Sequence, residues 1–177
     1  MAGVKAGIVD IIAKLATMTV TNGDGQAVSP FTGLWYKQTT KKNDGARDYD
    51  YPLPAFFVEL VYPISFGLIG EGYRGAQVQY KIHIEHEYYN ADGDLDQNLI
   101  IFDLRDKVIK LLQGFRPTGC GLLVATNESQ SYEHTNVYEY EVEFTTDLVD
   151  DTGAKEYISG VATEAVINKT IQFIIPQ

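Results

Sequence analysis

The sequence predicts an α+β domain: an antiparallel or mixed sheet with long strands, two helices packed on one face, and an extended C-terminal segment. Two stretches, 77–89 and 136–147, alternate between apolar and polar residues, which is the period of a strand with one buried face. Two others, 3–17 and 95–114, repeat apolar residues at helical spacing. The 12 tyrosines and 8 phenylalanines suit half-buried pleated surfaces.

Val4, Ile8, Ile11, Ile12 and Leu15 fall on one helical face, with Lys5, Asp10 and Lys14 off it, so 3–17 is expected as a short amphipathic helix. Asn22-Gly23-Asp24-Gly25 marks a tight turn. Residues 37–54, KQTTKKNDGARDYDYPLP, are polar and closed by two prolines; long loops of this kind are commonly functional. AFFVELVY, 55–62, reads as a buried strand, and Pro63 restricts its continuation. Gly67, Gly70, Gly72 and Gly75 then make a bend.

In QVQYKIHIEHEYYN, Val78, Tyr80, Ile82, Ile84, His86 and Tyr88 alternate with Gln77, Gln79, Lys81, His83, Glu85, Glu87 and Tyr89. About thirteen residues at ~3.3 Å each span roughly 40 Å, twice a common strand, so part should project beyond the domain. Asp92-Gly93-Asp94 leads into a helix with Leu95, Leu99, Phe102, Leu104, Val108, Leu111, Leu112 and Phe115 on its apolar face; Gly114 and Pro117 stop it. Residues 122–126 read as a short strand. In NVYEYEVEFTTD, Tyr138, Tyr140, Val142 and Phe144 face in, and Glu139, Glu141 and Glu143 face out. From Asp150 the composition turns polar before a strand-like TIQFIIPQ. The domain is therefore expected over 1–149, followed by an extension, 150–177, that contacts a partner or neighbour.

A chain of 177 residues suits one domain, and 45% apolar with 21% charged residues is the range of soluble globular proteins. The net charge of −10 opposes general nucleic-acid affinity, which needs clustered Lys and Arg. Cys120 is the one cysteine, so no internal disulfide can form. Asp10 and Lys14 interrupt the apolar pattern of MAGVKAGIVDIIAKLA, so neither a signal peptide nor a membrane anchor is expected.

Two histidines and two glutamates crowd residues 83–87. On a strand, His83, Glu85 and Glu87 point one way and His86 the other, so the four cannot surround one ion. Their order also differs from HExxH and HxxEH. A solvated strand face with one packed histidine is expected, and no metal site. Asp92, Asp94 and Asp96 resemble the start of a calcium loop, but Gln97 and Asp103 stand where Gly and Glu are needed, so helix capping is expected. Cys120 lies in Thr-Gly-Cys-Gly with His134 the only downstream base candidate, and no phosphate-cradling or GxSxG motif is present. No catalytic residue, enzyme activity or cofactor is expected. Two features stand out from this plain background. Glu139, Glu141 and Glu143 form an acidic row, with Glu85 and Glu87 as a second row on a neighbouring strand. Lys37, Lys41, Lys42 and Arg47 form a basic cluster in the long loop, a candidate partner contact.

The order of elements, the paired strands QVQYKIHIEHEYYN and VYEYEVEF, the helix DLRDKVIKLLQGF between them and the acidic balance resemble tailed-phage tail terminator (tail completion) proteins. The wider group of small neck proteins is similar too, and the resemblance covers roughly residues 3–148. It implies a structural virion protein, assembled in the host cytoplasm, that forms a ring, commonly a hexamer, at the head-proximal end of the tail. Such a ring ends tail-tube growth and joins the tail to the head connector. Its partners would be further copies of itself and other neck and tail-tube proteins, with DNA passing through the lumen without specific binding. Six copies would carry roughly −60, and a lumen lined by Glu139, Glu141, Glu143, Glu85 and Glu87 would repel DNA over a Debye length of ~8 Å. Phe66, Ile69, Ile171, Phe173 and Ile175 would then be subunit interface. The alternatives are another neck, head-completion or tail-adaptor ring, a small metal- or ligand-binding α+β domain using Asp92, Asp94 and Asp96 or His83 and Glu87, and an enzyme subunit with chemistry supplied by another chain.

Overall fold

The computed structural model describes residues 4–22, 25–36, 51–87, 95–131 and 137–153. The chain forms α1 (Val4–Leu15), β1 (Val20–Thr21), β2 (Ala27–Val28), β3 (Phe31–Leu34), β4 (Ala55–Leu60), β5 (Gly67–Gly70), β6 (Tyr73–Glu87), α2 (Leu95–Leu112), β7 (Val124–Ser131) and β8 (Val137–Asp150). The strands β3-β4-β6-β8-β7 lie side by side, β5 pairs with the start of β6, and β1 and β2 form a small separate hairpin. The fold is α+β, as the two periodicities predict. The sheet is mixed because β3 runs parallel to β4 while the other pairings are antiparallel.

The alternation along β6 and β8 works as expected on one face. Val78, Tyr80, Ile82 and Ile84 join Val142, Phe144 and Leu148, and with Phe56 and Val58 of β4 they meet Ile11 and Leu15 of α1 and Leu104, Val108 and Leu112 of α2. Both helices therefore cover the same side of the sheet. On α2 the buried stripe is Ile101, Leu104, Val108 and Leu112, a single line at helical spacing. Leu99 and Phe102, expected on that face, are exposed at its flank, where Phe102 sets its edge against the Tyr140 ring at 5.8 Å.

The glycine bend is a hairpin: β5 returns into β6 through Gly72 at φ 75°, and β6 starts at Tyr73, four residues earlier than its alternation shows. Its 15 residues outreach β4, which pairs only with Tyr80–Glu85, so the first part of β6 and the end of β8 project with β5 as an arm. The short β1, β2 and β3 carry too few residues to show a period, and β7 runs to Ser131 rather than stopping at 126. β8 reaches Asp150, whose carboxylate accepts a hydrogen bond from Arg74, the residue directly opposite it in the register.

Two details of the helix layer are directly testable. A Cβ added to Gly7 would sit 2.6 Å from the Tyr80 hydroxyl and 3.2 Å from Cys120 Sγ, so α1 approaches the sheet closely only because this position lacks a side chain. Alanine gains about 1 kcal/mol of helix propensity over glycine, but overpacking against a fully buried ring costs about 1–3 kcal/mol. Gly7→Ala should therefore lower the urea unfolding free energy by about 1 kcal/mol, and the same change in a Tyr80→Phe background should be neutral or stabilising. Equal losses in both backgrounds would show that the hydroxyl is not the obstacle.

Arg105 on α2 forks onto Glu128 of β7, with Nε and Nη2 at 2.6 and 2.5 Å from its two oxygens, and Tyr140 adds a bond of 2.9 Å. The guanidinium holds the Glu128 carboxyl below its ordinary range despite partial burial. A depressed folded-state value means the stabilisation is present above the ordinary carboxylate pKa and is lost as pH falls through the depressed value. Glu128→Gln should remove about 1 kcal/mol at neutral pH, a value kept small by partial exposure, and should flatten the loss of stability below about pH 4. Urea midpoints against pH read both effects, and parallel wild-type and variant curves would contradict them.

Candidate functional site

The second face of the sheet is not the solvated surface that the alternation suggests. Register places Ala55, Glu85 and Glu139 in one row, Phe57, His83 and Glu141 in the next, and Glu59, Lys81 and Glu143 in a third. His83, Glu85 and Glu139 are 2%, 0% and 4% exposed. Trp35, just before the long polar loop, and Tyr51, near its end, supply the cover. The Trp35 indole stacks on the His83 imidazole with centroids 3.9 Å apart and planes 11° from parallel. Tyr51 sets its edge to Phe57 at 4.9 Å, stacks on Phe31, and donates its hydroxyl proton to Glu85 Oε2.

Under this cover the polar side chains converge. His83 Nε2 lies 2.8 Å from Glu59 Oε2, and His83 Nδ1 lies 2.8 Å from Glu139 Oε1 and 3.5 Å from Glu141 Oε1. Lys81 Nζ donates to Glu141 Oε2 at 3.0 Å and lies 3.5 Å from Glu143 Oε1. Ser129 Oγ on β7 donates to the same Glu141 oxygen at 2.7 Å. Burial pushes the Glu141 carboxyl up, but the bonds from Ser129 and Lys81 outweigh it and leave it below the ordinary range. Burial likewise works against the Lys81 charge, yet Glu141 and the charges around it hold the amine above its ordinary value.

His83, Glu139 and Glu141 bring one donor atom each to within 4.8 Å of one another, a grouping that could close around a metal ion. Within β6 the neighbours of His83 do not gather round it: His86 points to the opposite face, where it too is buried. The set is completed across strands instead, by Glu139 and Glu141 of β8 (found only once register is known). A histidine on the polar face of one alternator, beside a second alternator rich in glutamate, is the sequence signal that could have pointed to it.

The remaining candidates separate. Glu85 and Glu139 are enclosed within the single chain, a correction to the solvated acidic row, because Tyr51 and His83 cover and bond them. Glu141 and Glu143 keep 19% of their side-chain surface. Glu87 pairs with Val137 in the ladder, and its side chain lies outside the described residues. Phe66 packs partly against the core with the Arg74 guanidinium 4.8 Å from its ring, whereas Ile69 and Leu68 are exposed on the arm. Lys37, Lys41, Lys42 and Arg47, the Asp92 and Asp94 turn, His134, and Ile171, Phe173 and Ile175 of the extension lie outside the described residues. Asp96 falls in the first turn of α2, with its side chain also outside them. Cys120 is buried, burial pushes its thiol up, and its near neighbour is the Tyr80 hydroxyl at 3.7 Å, an arrangement that suits packing rather than nucleophilic attack. No helix among the described residues is long and apolar enough to cross a membrane.

Around Lys81 and His83 stand five carboxylates, those of Glu59, Glu85, Glu139, Glu141 and Glu143. Lys81→Met should therefore destabilise the fold by about 2 kcal/mol, between the value of an exposed pair and that of a fully buried one. Adding Glu143→Gln should return part of the loss by removing a like charge. Urea denaturation of the single and double variants checks this; a double variant weaker than the sum of its parts would count against charge imbalance as the cause.

No protein-family model matches the chain, and a search of curated proteins returns no match.

Proposed function

We propose that this chain is a structural ring component of a tailed-phage neck, ending tail-tube growth at the head-proximal end of the tail and joining the tail to the head connector. The observation that carries the reading is the β6–β8 ribbon. Its fourteen consecutive register pairs outreach the rest of the sheet and carry an arm that exposes Leu68, Ile69, Tyr73 and Val149. Apolar side chains gathered on a projecting arm suit contact with another chain. Among the described residues β3 and β7 are the outermost strands, and such edges are templates for pairing between subunits.

The acidic face that such a ring could turn to its lumen is smaller than five glutamates. Glu85 and Glu139 are enclosed, so within that row only Glu141 and Glu143 offer partly exposed charge among the described side chains. The chain's total of −10 still makes a ring of such subunits strongly acidic, which suits a channel through which DNA slides without binding. Nothing in this role calls for catalysis.

Electron microscopy tests the reading in two ways. The purified chain at high concentration should form closed rings of about six copies, in keeping with the cyclic symmetry of homo-oligomers. In virions carrying a tagged copy, the tag should lie at the junction of head and tail. Tag density away from the tail axis would rule the proposal out. Leu68→Ser with Ile69→Ser should prevent ring closure while leaving the monomer's circular dichroism unchanged; undiminished rings would remove the arm from the interface.

A further inference from the structure

We propose that the sheet face under Trp35 is a binding site for one divalent first-row transition-metal ion, held by His83 Nδ1, Glu139 and Glu141. Bonds of about 2.0–2.2 Å to nitrogen and oxygen place neighbouring donors roughly 2.9–3.4 Å apart around an ion. The Nδ1 separations from Glu139 Oε1 and Glu141 Oε1 are 2.8 and 3.5 Å, which need only side-chain adjustment to admit one.

The groups behind the donors are arranged as a metal site needs them. A ligating histidine commonly gives its other ring N–H to a carboxylate, which fixes the tautomer and aims the free lone pair. Here Nε2 faces Glu59 Oε2 at 2.8 Å, leaving Nδ1 toward the two glutamates of β8. Glu141 is anchored through one oxygen, Oε2, by Lys81 and Ser129, and its other oxygen is the one turned to His83. The stacked indole of Trp35 fixes the imidazole plane.

Charge points the same way. Glu85 and Glu139 are directly opposed in the ladder and both buried, and five carboxylates share this face with Lys81 and His83. Buried like charges on one sheet face are unfavourable without compensation, and a dication supplies it. One imidazole nitrogen with two carboxylates suits zinc, iron, cobalt or manganese better than the all-oxygen preference of calcium and magnesium. Three protein donors leave room for water, and the partial exposure of Glu141 gives the ion a way in. The site ties β6 to β8 and owes nothing to any ring.

The test uses the full chain, stripped of metal by a chelator that is then removed, and titrated with cobalt(II) and zinc(II). Expected are one ion per chain, visible cobalt absorption with a nitrogen and oxygen donor set, and quenching of tryptophan fluorescence by cobalt. Trp35 is the only tryptophan, so quenching places the ion near this face, and the variants below assign it to the His83 cluster. Glu141→Gln, chosen because this side chain is partly exposed, should abolish tight binding with the circular dichroism retained. Glu59→Gln should weaken it by about 10- to 100-fold, the usual effect of losing a group behind a ligand. Absence of uptake at millimolar ion, uptake without quenching, or uptake unchanged in Glu141→Gln would each overturn the proposal.

Discussion

The antiparallel ladder between β6 and β8 governs the rest of the structure. It runs without a break from Arg74↔Asp150 to Glu87↔Val137, and each strand alternates along it. A slip of one residue would send Tyr80, Ile82 and Ile84 to the outer face and Lys81, His83 and Glu85 into the helices, so the apolar side fixes the register. Once it is fixed, the polar side has no freedom. Lys81 must stand opposite Glu143, His83 opposite Glu141, and Glu85 opposite Glu139. Two of these pairs set a basic side chain against a carboxylate. The third sets two carboxylates together, and it is the pair that Tyr51 and His83 reach.

That arrangement explains why the second face is covered rather than open. Charged groups taken out of water are tolerated only when paired and hydrogen-bonded, and an unpaired buried carboxylate is unfavourable by several kcal/mol. Phe31, Trp35, Tyr51 and Phe57 form an aromatic cover over this face, with Phe57 fully buried and the other rings part of the way out, and together they shield the acids beneath from water. The parallel pairing of β3 with β4 makes the cover possible, because it sets Gly33 beside Phe57 and carries the chain on to Trp35 above His83. The two faces of one sheet thus divide the work. The helix side supplies most of the apolar burial, and the aromatic side holds charge in a fixed geometry.

Much of this was legible in the sequence, and the rest fails for identifiable reasons. Residues that carry a long period (Val4 to Leu15, Val78 to His86, Leu104 to Leu112, Val137 to Phe144) announce their elements and their buried faces, because periodicity accumulates over many positions. Strands of two to four residues such as β1 to β3 show no period, and their pairing is decided by what they meet in space. The charge cluster was half legible. Its members were visible as polar positions on two strands, but alternation says only that they leave the core, not that they reach water. Trp35 and Tyr51 decide that point, and they lie far from His83 in the chain.

The arm at the other end of the ladder holds its exposed apolar residues on fixed backbone. Such side chains on a floppy segment would bind weakly, since ordering the segment would consume much of the gain. Here the β8 strand is stapled to the turn after α2: Gly121 N–H donates to Asp147 at 2.7 Å, Val149 N–H donates to Gly119 at 2.8 Å, and Cys120 bridges to Leu148. On the β6 strand, Arg74 bonds Asp150 and covers Phe66, tying the arm to β8. Leu68, Ile69, Tyr73 and Val149 are therefore presented on backbone held in place by strand pairing and by these bonds. One continuous ladder holds that surface at one end and the His83 cluster toward the other.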